Sequence, residues 1–239
     1  MSHLPRGILF VFVATIVSCD ALKWDYLMLT QQWIPTLCTY NSCVKYPKYV
    51  EFTLHGLWPN VRRGSQPHDC GPAPAYSEKN LEPIIDQLNL EWPNVVRHDE
   101  PHWLWKHEWK KHGTCAIEDE LISNELEYFN VSLTLKHKLP IYKTLTEAGL
   151  KASEEQSIQK KQILKILSDK FGVTPEIKCL KRKHQTARLL EVRFCFSPEF
   201  NLIDCARSFS ERDDPIYLRN TVDCPKEILL PPYKTDEDL

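Results

Sequence analysis

With 239 residues, 42% of them hydrophobic and seven tryptophans, the chain carries enough apolar mass for one domain with a substantial core. A formal net charge of −2 at pH 7 excludes a polycation that tracks nucleic acid non-specifically, so any anion it handles must be bound locally. No stretch beyond the N-terminus is apolar and long enough to span a bilayer.

At the N-terminus, Arg6 precedes an apolar run of about ten residues, too short to cross a membrane. Residues 1–19 are read as a signal peptide cleaved after Cys19 or Ala21, and 20–239 as the mature domain. Its removal deletes Arg6, takes the net charge to about −3 and leaves no membrane anchor. Eight cysteines follow the signal: Cys38, Cys43, Cys70, Cys115, Cys179, Cys195, Cys205 and Cys224. An even set in an exported chain reads as four disulfides, and counting alone leaves their pairing open.

Residues 24–32 read as a first strand, stopped by Pro35, and the β-branched and aromatic run 50–54 as a second. The proline-, glycine- and cysteine-containing stretch 60–76 is a surface loop. Helical patterns cover roughly 78–89, 103–112, 118–130 and 135–148, the last containing Pro140. Ser153-Glu154-Glu155-Gln156 has the form of a capping box opening a further helix, whose apolar stripe runs through Ile163 and Leu167 to Phe171 before Gly172 ends it. Strands are expected over 174–180 and 188–196. In the latter Leu190, Val192, Phe194 and Phe196 alternate with Glu191, Arg193 and Cys195. Strands and helices are interspersed without βαβ regularity. The expectation is therefore a single α+β domain, a central antiparallel β-sheet flanked by several helices and stabilised by disulfides. Asn130-Val131-Ser132 is a glycosylation sequon, with Asn130 as the acceptor.

Two stretches carry chemistry. In Phe52-Thr53-Leu54-His55-Gly56-Leu57-Trp58-Pro59 a histidine at a strand end adjoins glycine, where backbone or ligand can approach closely. In Trp103-Leu104-Trp105-Lys106-His107-Glu108-Trp109-Lys110-Lys111-His112-Gly113-Thr114-Cys115, two imidazoles, a carboxylate and an ammonium crowd one segment. On a regular helix, with His107 at 0°, Lys111 falls at roughly 40°, Glu108 at roughly 100° and His112 at roughly 140°, all on one face. Gly113 is expected to stop that helix. Trp103, Trp105 and Trp109 supply an apolar back. Such a set suits charge developing at a phosphoryl group.

Other patterns fit poorly. The zinc-protease motif H-E-x-x-H is missed by one residue, which turns His112 away from the position of a second ligand. His98 and His102 are separated by Pro101 and are expected in a solvent-facing loop. The basic run Lys181-Arg182-Lys183-His184 reads as a solvated loop between strands, and the terminal Asp-Glu-Asp-Leu differs in order from a retention signal.

The stretches F-T-L-H-G-L-W-P and W-K-H-E-W-K-K-H-G-T-C resemble the two signature segments of the ribonuclease T2 family, in order and separation. The resemblance extends over essentially the mature chain, through Trp33, the cysteine series and Leu230-Pro231-Pro232-Tyr233, and is nearest to animal secreted or lysosomal members. It implies a metal-independent endoribonuclease, without cofactor, that cleaves single-stranded RNA through a 2′,3′-cyclic phosphate with loose base specificity. His112 would be the base and His55 the acid. Glu108 and Lys111 would stabilise the phosphorus centre, and His107 would bind phosphate. Trp58 would stack on an unpaired base. The implied disulfides are Cys38–Cys43, Cys70–Cys115, Cys179–Cys224 and Cys195–Cys205. The setting would be extracellular or endolysosomal, with no obligate protein partner, and two histidines near pKa 6.5 suit a mildly acidic medium. A secreted signalling or immune-modulating protein on the same fold is the alternative, compatible with catalysis.

Overall fold

A computed structural model describes residues 24–44, 50–100, 102–117, 121–205 and 220–233. The expected signal peptide, the first residues of the helix expected at 118–130, Pro101 and the acidic tail lie outside these.

The described strands are β1 (Tyr26–Gln32), β2 (Thr53–Asn60), β3 (Ser153–Gln159), β4 (Glu176–Leu180), β5 (Arg188–Phe196), β6 (Leu202–Ile203), β7 (Thr221–Asp223) and β8 (Glu227–Leu230). They join in one sheet whose main path runs β2-β1-β5-β4-β7, antiparallel throughout. β6 adds antiparallel to β5, and β8 makes a short parallel contact, Arg188 opposite Leu229, while pairing with β3. The helices are α1 (Ile34–Tyr40), a 3₁₀ segment Glu78–Ile84 running into α2 (Ile85–Glu91), α3 (Trp103–Glu108), a π-turn at Trp109–Gly113, α4 (Thr114–Ala116), α5 (Glu125–His137), α6 (Ile141–Glu147) and α7 (Lys160–Phe171). This is the expected α+β domain. The pairs Cys38–Cys43, Cys70–Cys115, Cys179–Cys224 and Cys195–Cys205 are the four disulfides.

Three local expectations fail for physical reasons. The second strand begins at Thr53 and runs through the His55-to-Pro59 stretch instead of ending before it, because β1 pairs along its whole length. The run 153–159 is strand, not helix. Ser153 Oγ does accept the Glu155 and Gln156 N–H groups, as a capping residue would (3.1 and 3.0 Å), but pairing with β8 wins over that local bond. The single helix expected over 135–148 is two, because Pro140 cannot donate within a helix. Instead, the buried Glu51 carboxylate accepts the orphan N–H groups of Tyr142 (2.6 Å) and Lys143 (3.2 Å) at the start of α6. α7 closes as expected at Gly172, in the left-handed region at φ 78°.

The sheet separates two apolar layers. Leu27, Leu29, Leu54, Leu57, Leu190, Val192, Phe194 and Phe196 pack into the main core beneath the helices. A smaller cluster of Tyr26, Met28, Trp58 and Cys195 lies apart from it. Tryptophans fill the main core; Trp33 donates to Pro231 O (2.7 Å) and Trp105 to Trp92 O (2.7 Å).

Candidate active site

The register of β2 against β1 slips at one point. Gly56 faces Thr30 and Leu54 faces Gln31, so His55 is the extra residue of a β-bulge. One inserted residue reverses the alternation of the strand. Leu54 and Leu57, three apart, thereby both enter the main core, while the rings of His55 and Trp58, also three apart, meet edge to face at 5.1 Å. A strict two-residue period would have set each of these pairs on opposite faces. The His55 backbone is fixed from behind by Trp92 Nε1, which donates to its carbonyl (2.9 Å).

The second motif reaches the site through an irregular helix. After Glu108 the hydrogen bonding passes into the π-turn Trp109–Gly113 and the helix resumes to Ala116, so the angles of a regular helix do not hold at His112. Gly113 does not stop the helix. Its φ is −58°, and its role is space: a Cβ there would overlap the Trp109 ring. Two ties hold this segment to the loop after β2, the Cys70–Cys115 disulfide and the Asp69 N–H donated to Lys111 O (2.9 Å). Trp109 Nε1 adds a bond to Pro74 O (2.9 Å).

Glu108 is fully buried. Its Oε2 accepts Trp58 Nε1 (2.8 Å) and its Oε1 lies 3.8 Å from His55 Nε2. The carboxylate fits because residue 56 is glycine: a Cβ there would collide with Glu108 Oε2 and Trp58 Nε1. Burial first, and the Glu108 charge second, push the neighbouring Tyr128 phenol well above its ordinary pKa; its hydroxyl donates to Leu57 O (3.0 Å).

Trp58 is the hub. Besides His55, its ring meets His112 at 5.3 Å and has the Arg193 guanidinium carbon 5.3 Å from its centroid. Both motif histidines therefore flank one indole. Trp58 itself is 7% exposed, with its polar edge bonded to Glu108. His112 and Lys111 are half-buried on the π-turn, and His107, also half-buried, stacks on Trp103 at 5.1 Å. Trp105 and Trp109 are core, as expected. His102 is not a solvated loop residue: it stacks on Trp105 at 4.3 Å with Nδ1 2.9 Å from Glu78 Oε2. His98 is exposed, and 181–184 form an exposed connection between β4 and β5.

Two residues that sequence reasoning passed over complete the site. Glu191 and Arg193 were read as the polar side of a half-buried strand, yet each is 1% exposed. Glu191 Oε1 lies 2.7 Å from His55 Nδ1, and Oε2 accepts from Arg193 Nε (3.0 Å) and Nη2 (2.6 Å). Burial alone would raise the Glu191 carboxyl. The Arg193 charge, together with the bond to and charge of His55, overrides it and holds the group at about 2. The signal was present in the letters: opposite charges two apart in an otherwise apolar strand share a face and can satisfy each other when that face is buried.

A family model for the ribonuclease T2 family matches residues 24–205. Ribonuclease Oy of Magallana gigas is 32% identical over 186 residues, covering 76% of this chain and 87% of the relative. Ribonuclease T2 of Sus scrofa is 28% identical over 201 residues, covering 82% and 96%. Human RNase T2 superposes with a TM-score of 0.74 at 25% identity over 88% of this chain and 100% of that one. RNase NT, solved in complex with 5′-AMP, gives 0.74 at 26% identity over 88% and 99%. With this coverage, and with His55, Glu108 and His112 gathered about one indole, the chain belongs to the ribonuclease T2 family.

Proposed function

We propose that the protein is an exported endoribonuclease of the animal secreted or lysosomal type. It cleaves single-stranded RNA by transphosphorylation, without a metal. The observation that carries this reading is the placement of His55 and His112, from distant segments, against the one Trp58 ring, with the Glu108 carboxylate between strand and helix. In the reaction His112 takes the proton of the 2′-hydroxyl. The 2′-oxygen then forms its bond to phosphorus as the bond from phosphorus to the 5′-oxygen breaks. His55 gives its Nε2 proton to that departing oxygen, and the product is a 2′,3′-cyclic phosphate. Lys111 and His107, half-buried on the same segment, supply positive charge to the phosphoryl oxygens. Attack by a 2′-hydroxyl makes DNA a non-substrate.

Export follows from residues 1–19 read as a signal peptide, and four disulfides fit an oxidising compartment. Asn130 lies exposed on α5, where a glycan has room, although Ser132 of the same sequon is buried with its hydroxyl donated to Tyr128 O.

The test is cleavage of a single-stranded RNA in EDTA by the wild type, His55→Ala and His112→Ala, with product ends analysed. The expected result is a 2′,3′-cyclic terminus from the wild type and losses of about 10²- to 10⁴-fold in each variant. Wild-type rates in either variant, abolition by EDTA, or equal cleavage of DNA would overturn the reading.

A further inference from the structure

We propose that Glu191 is a positioning residue for His55. Its carboxylate fixes the imidazole tautomer with the proton on Nδ1, turns Nε2 toward Glu108 as the proton-donating atom, and favours the imidazolium form. The inference deepens the reading of His55 as the acid and rests on it.

The division of oxygens carries the argument. Arg193 donates from Nε and Nη2 to Glu191 Oε2, at 3.0 and 2.6 Å, while Oε1 is aimed at His55 Nδ1 at 2.7 Å. An ionised carboxylate only accepts, so Nδ1 must carry a hydrogen. The other ring nitrogen then faces Glu108 Oε1, 3.8 Å away. All four side chains are essentially buried, so the orientation is not averaged by solvent. Arg193 also reaches the Trp58 ring, tying the same pair to the indole that the two histidines flank. Glu191 and Arg193 stand on β5 and His55 on β2, with β1 between, so the contact depends on the bulge that turns His55 out of the regular register.

The charged groups facing His55 come from three elements. β5 contributes Glu191 and Arg193, and α3 contributes Glu108. The π-turn contributes, across Trp58, His112. The Glu191 carboxylate at 2.7 Å favours the protonated ring, which an acid needs at the start of the reaction. Glu191 itself is held ionised by Arg193 far below the working range of a histidine.

The experiment compares wild type, Glu191→Gln, Glu191→Asp and His55→Ala for kcat and KM on a dinucleoside phosphate between pH 3.5 and 8. Thermal melts verify folding. Glu191→Gln should lower kcat by about tenfold or more with KM changed less than about twofold, and should move the alkaline limb of the profile to lower pH by roughly one unit or more. Glu191→Asp should restore part of that shift. Should Glu191→Gln fail to fold, ¹⁵N spectra of wild-type His55 decide: Nδ1 protonated through the titration is expected. An unshifted limb in a folded Glu191→Gln protein, or a His55 ring protonated first on Nε2, overturns the role of Glu191 while leaving the reaction standing. Full activity in His55→Ala overturns both.

Discussion

Gly56 and Glu108 occupy the same space: the carboxylate of one lies where a side chain on the other would be. Gly56→Ala must therefore displace either Glu108 or the Trp58 edge to which it is bonded. The expected cost is about 1–3 kcal/mol of stability, as for other overpacked interiors. A fall in kcat/KM of about 10²-fold should accompany it, since a misplacement of about 1 Å suffices for that. Denaturant unfolding and RNA cleavage measure the two effects, and an unchanged kcat/KM would show that Glu108 can move without consequence.

Trp58→Phe keeps an aromatic ring between the two histidines and deletes the donor to Glu108 Oε2. Leaving a buried carboxylate oxygen without that bond costs about 1–3 kcal/mol. Activity should fall. A changed base preference, read from product ends, would support the stacking role expected of the indole, and an unchanged one would count against it.

The Glu191 carboxyl gives a pH dependence of stability with a definite sign. Its folded value, about 2, lies below the ordinary 4.5, so its contribution is fully present above 4.5 and disappears as pH falls towards 2. At about 1.4 kcal/mol per unit this amounts to about 3 kcal/mol across that window. Urea unfolding at several pH values should show a steeper loss between pH 4.5 and 2 in the wild type than in Glu191→Gln; equal slopes would contradict the assignment.

Cys70–Cys115 joins the loop after β2 to the end of the π-turn, closing a loop of 45 residues in sequence separation. Loop-closure entropy puts its contribution at about 4 kcal/mol. Cys70→Ala/Cys115→Ala should melt at a lower temperature and lose activity before it unfolds globally, because the bond anchors the segment bearing Lys111 and His112. Coincident loss of activity and structure on heating would show that the clamp is purely global.

Glu51, just before β2, links that strand to α6 through the Tyr142 and Lys143 N–H groups and bonds none of the catalytic side chains in these contacts. Glu51→Ala orphans both donors and should destabilise by about 1–3 kcal/mol. Below its melting temperature the variant should cleave RNA at the wild-type rate; a loss of kcat with an unchanged melt would indicate a catalytic link.

Much of the molecule was legible from local pattern. His55 and His112 stood out because histidine, glycine and charge were packed into short stretches. α7 was readable because its apolar positions recur at helical spacing and Gly172 closes it. Where the reading failed, a longer-range partner outweighed a local preference. Ser153 makes the bonds of a capping residue yet stands in a strand, because it pairs with Leu230 of β8. Gly113, a stop signal in the letters, lies inside the helical segment because Trp109 needs the space.

The sequence by itself determined the class of fold, the chemistry-bearing residues and the need for disulfides, since composition, spacing and side-chain type are properties of the chain alone. Tertiary structure decided which of those residues meet. The bulge at His55, the π-turn before Gly113 and the burial of Glu191 and Arg193 arise from pairing and packing between segments far apart in the chain. Those contacts, not the spacing within either motif, set which nitrogen of His55 meets Glu191 and made Trp58 a buried support between two histidines.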